Sequence, residues 1–365
     1  MGFPEQANPR TTMKRLFHIG MGVLLAGCFL MARQLHAQDT GPVTEIETKK
    51  LAQTGFKFLS VSLDPRAAAM GDALTARDDN ASLSLFYNPA GMAYFDRAFH
   101  VAFGQTQWIN NTDYSYASLA YRPADGQYGV IGLSVVAVSY PEVIKTIFAN
   151  NEQGYEEQGT YSPSALAIGI GYARAITDRF AVGGHARLAR QDLGSAQVGL
   201  NGRTESYAKS TIAVDFGVLY RTALQSLTFA MSVRNFSREL TYVEESFELP
   251  LSFQIGVTYN LMDLLAPANG MHALWLNVEA VRPRDYPEQI KVGAEYVFMD
   301  LLFLRAGYVN PTDEQGINLA PDCGLARATS GSVWIMPTRR SGFLTTCTVS
   351  GCNLHSELPA RNISV

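Results

Sequence analysis

Asp78, Asp79 and Asn80 stand in a row, and three oxygen-bearing side chains could hold a hard cation. A calcium loop spaces its oxygens at alternate positions and closes with a distal Glu. Neither feature follows, so the run reads as a solvated turn and no metal is assigned. The six histidines show no ligand spacing: His18 and His36 precede the body of the chain, His100, His185 and His272 lie far apart, and His355 is near the end. Ser, His and Asp are all present, but no Gly-x-Ser-x-Gly elbow presents a nucleophile. Gly169-Ile170-Gly171 falls inside a strand pattern, where it permits close packing and cradles no phosphate. No catalytic residue and no cofactor are expected, and the protein is not read as an enzyme.

Composition leaves the class open, since 365 residues with 47% apolar and 17% charged content fit many proteins. A net charge of -4 gives no basic face for phosphate, so a nucleic-acid partner is not expected. The N-terminus carries an export leader, residues 1–37, with its start placed at Met13. Lys14 and Arg15 precede an apolar stretch over 19–31, and Leu35-His36-Ala37 offers a small-residue cleavage site. Leu25-Ala26-Gly27-Cys28 also reads as a lipoprotein box, but apolar Phe29-Leu30-Met31 would follow the acylated cysteine where a polar tether is usual. Beyond the leader nothing is long and apolar enough for a membrane helix of about 20 residues, so an exported membrane protein of this sequence must be a barrel. The body is free of cysteine up to Cys323, which suits an oxidising compartment.

From about His100 onward apolar and small or polar residues alternate. Phe253, Ile255, Val257 and Tyr259 alternate with Gln254, Gly256 and Thr258. Ile290, Val292, Ala294 and Tyr296 alternate with Lys291, Gly293 and Glu295, and Ile212, Val214, Phe216 and Val218 with Ala213, Asp215 and Gly217. A soluble sandwich would show the same period, so alternation alone leaves both architectures open. The leader, strands of about 9 to 11 residues, and aromatic ends at Tyr172, Tyr220, Tyr259, Phe298 and Tyr308 favour an all-β, antiparallel transmembrane barrel. The second face carries Gly, Ala, Ser, Thr, Gln, Arg and Glu, as a crowded polar lumen would. Long polar stretches over 140–162, 194–209 and 237–248 are expected to be extracellular loops, and short turns such as Thr177-Asp178 and 123–126 to face the periplasm.

Before the barrel, Asp64-Pro65 can cap and open a short Ala-rich helix over 66–76. The run Arg66-Ala67-Ala68-Ala69-Met70-Gly71-Asp72, then Asp78-Asp79-Asn80-Ala81, then Tyr87-Asn88-Pro89-Ala90-Gly91-Met92-Ala93 resembles the opening of the PorV/PorQ proteins, FadL-like outer-membrane barrels associated with type IX secretion. A second stretch, Leu304-Arg305-Ala306-Gly307-Tyr308, with 313–319 after it, extends the resemblance over about 54–319. The resemblance implies a hatch folded into the lumen, with Asn88, Pro89, Ala90 and Gly91 as its structural motif. Asn88-Pro89 also reads as a turn into the first strand, and the two readings are compatible. The organisation expected is a leader (1–37), a periplasmic N-terminal segment and hatch (38–95), and a barrel (96–319).

Residues 320–365 lose alternation, gather Cys323, Cys347 and Cys352, and end without an aromatic residue. Reading each codon's third base with the next two recovers family-like sequence: Trp334 before Ile335 forces aspartate, Met336 before Pro337 forces alanine, and permitted choices end in Phe and a stop. We read this tail as out of frame after loss of one base near the Leu319 codon.

The function implied is a non-enzymatic outer-membrane barrel that binds exported cargo proteins and hands them on with secretion machinery in type IX-type export, embedded in outer-membrane lipid. The alternative is FadL-like passage of hydrophobic small molecules, for which a lumen lined by apolar side chains would be expected.

Overall fold

The computed structural model describes residues 54–198, 203–242, 245–265, 271–310, 317–323, 333–335, 346–347 and 349–355. The leader, residues 38–53 and most of the tail from 320 lie outside the described residues.

The strands are β1 (Phe99–Gln107), β2 (Asp113–Tyr121), β3 (Val130–Ser139), β4 (Val143–Phe148), β5 (Tyr155–Tyr161), β6 (Ser164–Ala175), β7 (Phe180–Val198), β8 (Arg203–Arg221), β9 (Thr228–Phe236), β10 (Leu240–Thr241), β11 (Ser246–Phe247) and β12 (Ser252–Asn260). They continue as β13 (His272–Pro283), β14 (Gln289–Phe298), β15 (Leu302–Asn310), β16 (Ile317–Cys323), β17 (Val333–Ile335), β18 (Thr346–Cys347) and β19 (Val349–His355). One antiparallel sheet runs in the order β18-β17-β16-β15-β14-β13-β12-β9-β8-β7-β6-β3-β2-β1-β19. Its two ends, β18 and β19, are separated by residue 348 alone, so the chain curls the sheet into a barrel. Sheet pairing therefore runs beyond 319, the expected end of the barrel, with β19 on β1 over seven residues from His100↔His355 to Thr106↔Val349.

Which face is exposed decides between sandwich and barrel. Ile131, Leu133 and Val135 of β3, Leu166, Ile168 and Ile170 of β6, Ile212 and Phe216 of β8, and Phe253 and Ile255 of β12 are exposed; Ile170 and Ile212 reach 59% and 60%. The alternating small and polar residues are the buried ones. A sandwich hides its apolar face, whereas a barrel in lipid shows it, so this is an all-β antiparallel transmembrane barrel with an internal hatch. Tyr121, Tyr172, Phe180 and Tyr220 ring one rim on the outside, and Tyr308 lies at the other.

The short connections 176–179, 222–227 and 299–301 share the rim where β1 begins. The ends of β3 and β9, the end of β7 at Val198 and the start of β8 at Arg203 share the opposite rim, and the excursions after β3 and β9 leave from it. These excursions were expected as loops and are partly strands. β4 and β5 form their own exposed hairpin, β10 and β11 a smaller one, and β7 and β8 are 19-residue strands, the first running on to Val198 and the second starting at Arg203. Outside the bilayer a hairpin needs no apolar face, so its period is invisible in the sequence.

Residues 54–95 cross the lumen. Pairing of Thr54 with Glu248 and a Gly55 N–H bond to the Glu248 carbonyl (3.0 Å) fix the start at the long-excursion rim, and the segment reaches β1 at the other. Helix α1 (Pro65–Ala69) is shorter than expected, because the chain turns left-handed at Gly71 (φ 62°) and Asp72 (φ 60°). Asp64 caps it, accepting from the Arg66 N–H at 3.3 Å.

Candidate functional site

The lumen is built in rows of cross-strand neighbours. Nearest the short-turn rim, Val130, Ala173, Gly183 and Gly217 lie side by side, and above them Ala120, Gly132, Gly171, His185 and Asp215. Next come Ser118, Ser134, Gly169, Arg187 and Ala213, then Tyr116, Val136, Ala167, Ala189 and Thr211. The lower rows are small because the hatch backbone lies on them. A Cβ on Gly183 would meet the Ala90 nitrogen at 2.5 Å, and one on Gly293 the Met70 carbonyl oxygen at 2.7 Å.

The motif Asn88-Pro89-Ala90-Gly91 is seated here. Asn88 donates to the carbonyls of Thr75 (2.9 Å) and Val218 (3.2 Å) and accepts from the Ala90 N–H (3.1 Å), which caps a 3-10 turn over Pro89–Tyr94. One side chain thus joins two hatch segments to the wall, and it also sets the turn toward β1.

Charged tethers hold the rest of the hatch. Arg66 grips Glu295 of β14 through Nε–Oε1 (2.9 Å) and Nη2–Oε2 (2.6 Å), and reaches Asn80 (2.8 Å) and Asp79 (2.9 Å). Arg77 bonds Asp79 and Glu295 (3.1 Å), and Arg305 bonds Glu295 Oε1 (2.8 Å). The guanidinium groups of Arg66 and Arg77 hold the half-exposed Asp79 carboxyl well below the usual range. Asp78 pairs with Arg221 (2.7 Å), which also stacks on Tyr94 at 3.5 Å. The Asp78-Asp79-Asn80 run, read as a solvated turn, is thus three anchors facing arginines. Of its partners, Arg66 and Arg77 are near in sequence, while Arg221 lies 143 residues away and no local pattern announces it.

A second network joins β7, β8 and β9. Arg187 donates to Asp215 (2.8 Å) and Asn235 (2.6 Å), and Asp215 also accepts from the Asn235 N–H (2.7 Å). His185 Nε2 meets Ser134 Oγ at 2.8 Å, and its Nδ1 stands 3.3 Å from Asp215. The three residue types of an acyl-transfer triad do meet, but Ser134 is 2% exposed and Arg187 engages both Asp215 oxygens, so the group ties strands together. His100, with Ser82 (2.7 Å) and through it Ser118, does the same for hatch and wall.

Toward the long-excursion rim the interior changes character. Tyr114, Tyr116, Val136, Val138, Ala165, Ala167, Ala189 and Ala213 of the wall pack with Phe56, Phe58, Leu63, Phe86 and Tyr87 of the hatch and with Leu240 and Leu249 of the rim. Phe86 meets Tyr116 edge-on at 5.9 Å. The polar lumen expected from the sequence is therefore only the lower half. β3 carries apolar residues on both faces, which hid the inward Val136 and Val138 behind the lipid-facing Ile131, Leu133 and Val135.

Among solved structures the chain is similar to the Pseudomonas putida toluene transporter TodX, at 13% identity and a TM-score of 0.51 over 84% of this chain and 98% of that one. A TodX deltaS2 mutant, described as a monoaromatic hydrocarbon channel, matches at 11% identity and a TM-score of 0.50 over 80% and 98%. The CymD monoaromatic hydrocarbon channel follows at 12% and 0.49, over 80% and 95%. No family model and no curated protein matches the chain. These neighbours are FadL-family outer-membrane barrels, and at such identities the likeness speaks for the fold.

Proposed function

We propose that this protein is an outer-membrane channel for hydrophobic small molecules, exported by the N-terminal leader. The observation that carries the reading is the apolar half of the lumen, where Tyr114, Tyr116, Val136 and Val138 face Phe58, Phe86 and Tyr87 of the hatch. These side chains are packed hatch against wall, so a solute meets an apolar surface wherever the hatch gives way, and burying it there stabilises by about 25 cal/mol per Å². Below it the hatch closes the barrel through hydrogen bonds and ion pairs, which can exchange without covalent change. The fold shared with the toluene transporter TodX supports the same assignment.

The test is uptake of radiolabelled toluene by proteoliposomes, set against a polar solute of equal size and against protein-free vesicles. Selective acceleration of toluene is expected. Equal rates for both solutes, or rates no higher than in protein-free vesicles, would overturn the assignment.

A second reading, delivery of exported cargo in PorV/PorQ-like type IX secretion, draws on the β4–β5 hairpin. Among the described residues neither edge pairs with another strand, and Ile144, Phe148 and Tyr155 are exposed, Phe148 to 75%. Such edges accept an added strand. Recovery of secreted proteins with the full chain, lost when residues 143–161 are replaced by a short Gly-Ser link, would favour this reading over transport.

A further inference from the structure

The hatch is fastened unequally along its length. From Leu63 onward its bonds lie inside the lumen: the Leu63 carbonyl accepts from Thr106 Oγ1 at 3.1 Å, Arg66 and Arg77 share Glu295, and Asn88 joins hatch to wall. Residues 54–62 are held at the long-excursion rim by groups that water reaches. Asp285, in the β13–β14 connection, accepts from Thr54 Oγ1 (2.7 Å) and pairs with Lys57, which is 39% exposed and stands 4.6 Å from the Tyr286 ring. Glu248, whose carbonyl takes the Gly55 N–H, pairs through its carboxylate with the half-exposed Arg284. An ion pair with an exposed member is weak, whereas a buried pair broken from one side is costly. The rim end of the hatch therefore gives way before the rest. Its backbone works in the same direction, because Phe56 takes a left-handed conformation (φ 54°) that a bulky residue adopts only when its contacts impose it.

Those contacts are with the apolar half of the lumen. Phe56 and Phe58 are each 1% exposed, their rings 6.0 Å apart, and they belong to the cluster of Tyr114, Tyr116, Val136 and Val138. Phe247 of the rim stacks on Phe56 at 6.2 Å and lies so close to Gly55 that a Cβ there would strike its ring. A phenylalanine side chain is toluene joined to a backbone. The two rings thus occupy, from within the chain, the apolar surroundings that an aromatic hydrocarbon would take.

We propose that residues 54–62 form an autoinhibitory arm: Phe56 and Phe58 stand where the solute binds, and an aromatic hydrocarbon displaces them toward the long-excursion rim while residues 64–95 keep the barrel shut below. This rests on the channel assignment above and names the part of the hatch that moves. Exchanging one apolar ring for another keeps the cluster out of water, which a polar solute does not do. An arm that competes for the same surface lowers the apparent affinity for solute by the fraction of time the surface is uncovered, so loosening the latch must tighten binding.

Two measurements on the full chain in nanodiscs test this. Trypsin cuts after Lys57 when the arm leaves its seat. Cleavage at that bond, followed by mass spectrometry, is expected to rise about fivefold in saturating toluene, while cleavage after Lys145 of the exposed β4–β5 hairpin stays constant. Asp285→Asn and, separately, Lys57→Gln loosen the latch and leave every apolar contact in place. Each is expected to bind radiolabelled toluene about fivefold more tightly in equilibrium dialysis with empty nanodiscs subtracted, the effect of losing one weak ion pair. Single-channel current should not rise in either variant, since the inner bonds are intact. Toluene binding that leaves Lys57 as protected as before, an affinity unchanged in both variants, or a current that rises with them overturns the arm and leaves the channel assignment standing. Absence of toluene binding by the unaltered chain and by both variants overturns the two together.

Discussion

Arg66 of the hatch and Glu295 of β14 are joined by two parallel hydrogen bonds across 229 residues of sequence, with the carboxylate also held by Arg77 and Arg305. Glu295 is therefore the common partner of three guanidinium groups, and only one of them belongs to the wall. Replacing it by Gln leaves those cations buried beside a neutral group. Breaking a buried pair from one side costs about 3–5 kcal/mol. Glu295→Gln is expected to lower the temperature at which the barrel loses its folded gel mobility and to raise single-channel current through a loosened hatch. Unchanged current with an unchanged transition would mean that the tether does not hold the hatch.

Acid should act on the same tether. With its carboxyl held well below the usual range, Asp79 stabilises the folded state wherever an unfolded Asp would be ionised, above about pH 4. That contribution is lost as pH falls through the carboxylate range toward the lowered folded value. Conductance in planar bilayers should thus stay flat from pH 7 to 5 and rise below about pH 4, with a smaller rise in Asp79→Asn. An acid response of the same size in that variant would place the titrating group elsewhere.

How much of this was legible in the sequence divides by distance along the chain. The outward faces of β8, β12 and β14 could be read residue by residue, because lipid imposes a strict period of two. The cap at Asp64 and the turn at Asn88-Pro89 were legible because their bonds are local. Arg66 with Glu295, or Asp78 with Arg221, could not be read, since nothing in either neighbourhood names a partner more than a hundred residues away. The apolar half of the lumen was hidden for another reason. On β2 and β3 both faces carry large apolar or aromatic residues, and period-two reasoning returns no answer when both faces look alike.

Asn88 and Gly217 should couple. A Cβ at position 217 would collide with Asn88 Oδ1 and approach Pro89 Cδ to 3.2 Å, so Gly217→Ala must push the hatch off the wall. Asn88→Ala separately strands the buried carbonyl of Thr75, at about 1–3 kcal/mol. In the double variant the colliding oxygen is gone. Its loss of thermal stability is expected to fall short of the sum of the single losses. Strict additivity in thermal denaturation would show that the two residues do not touch in the folded protein.

β19 covers the edge of β1 from His100 to Thr106, and an uncovered edge in lipid would leave backbone groups unpaired at several kcal/mol each. Backbone pairing is indifferent to side chains, so residues 349–355 can supply those bonds; but lipid also requires an apolar outward face, and the sequence from 320 onward lacks the alternation that provides one. If the tail is out of frame, the chain as written should insert slowly and lose its folded mobility at modest temperature, while a version with one base restored near the Leu319 codon should insert faster and resist heating. A nucleotide read of the source DNA checks the premise, and paired heat-modifiability gels check the consequence. Equal insertion and equal heat resistance of the two versions would show that backbone pairing along β1 is sufficient and that residues 320–365 close this barrel as they stand.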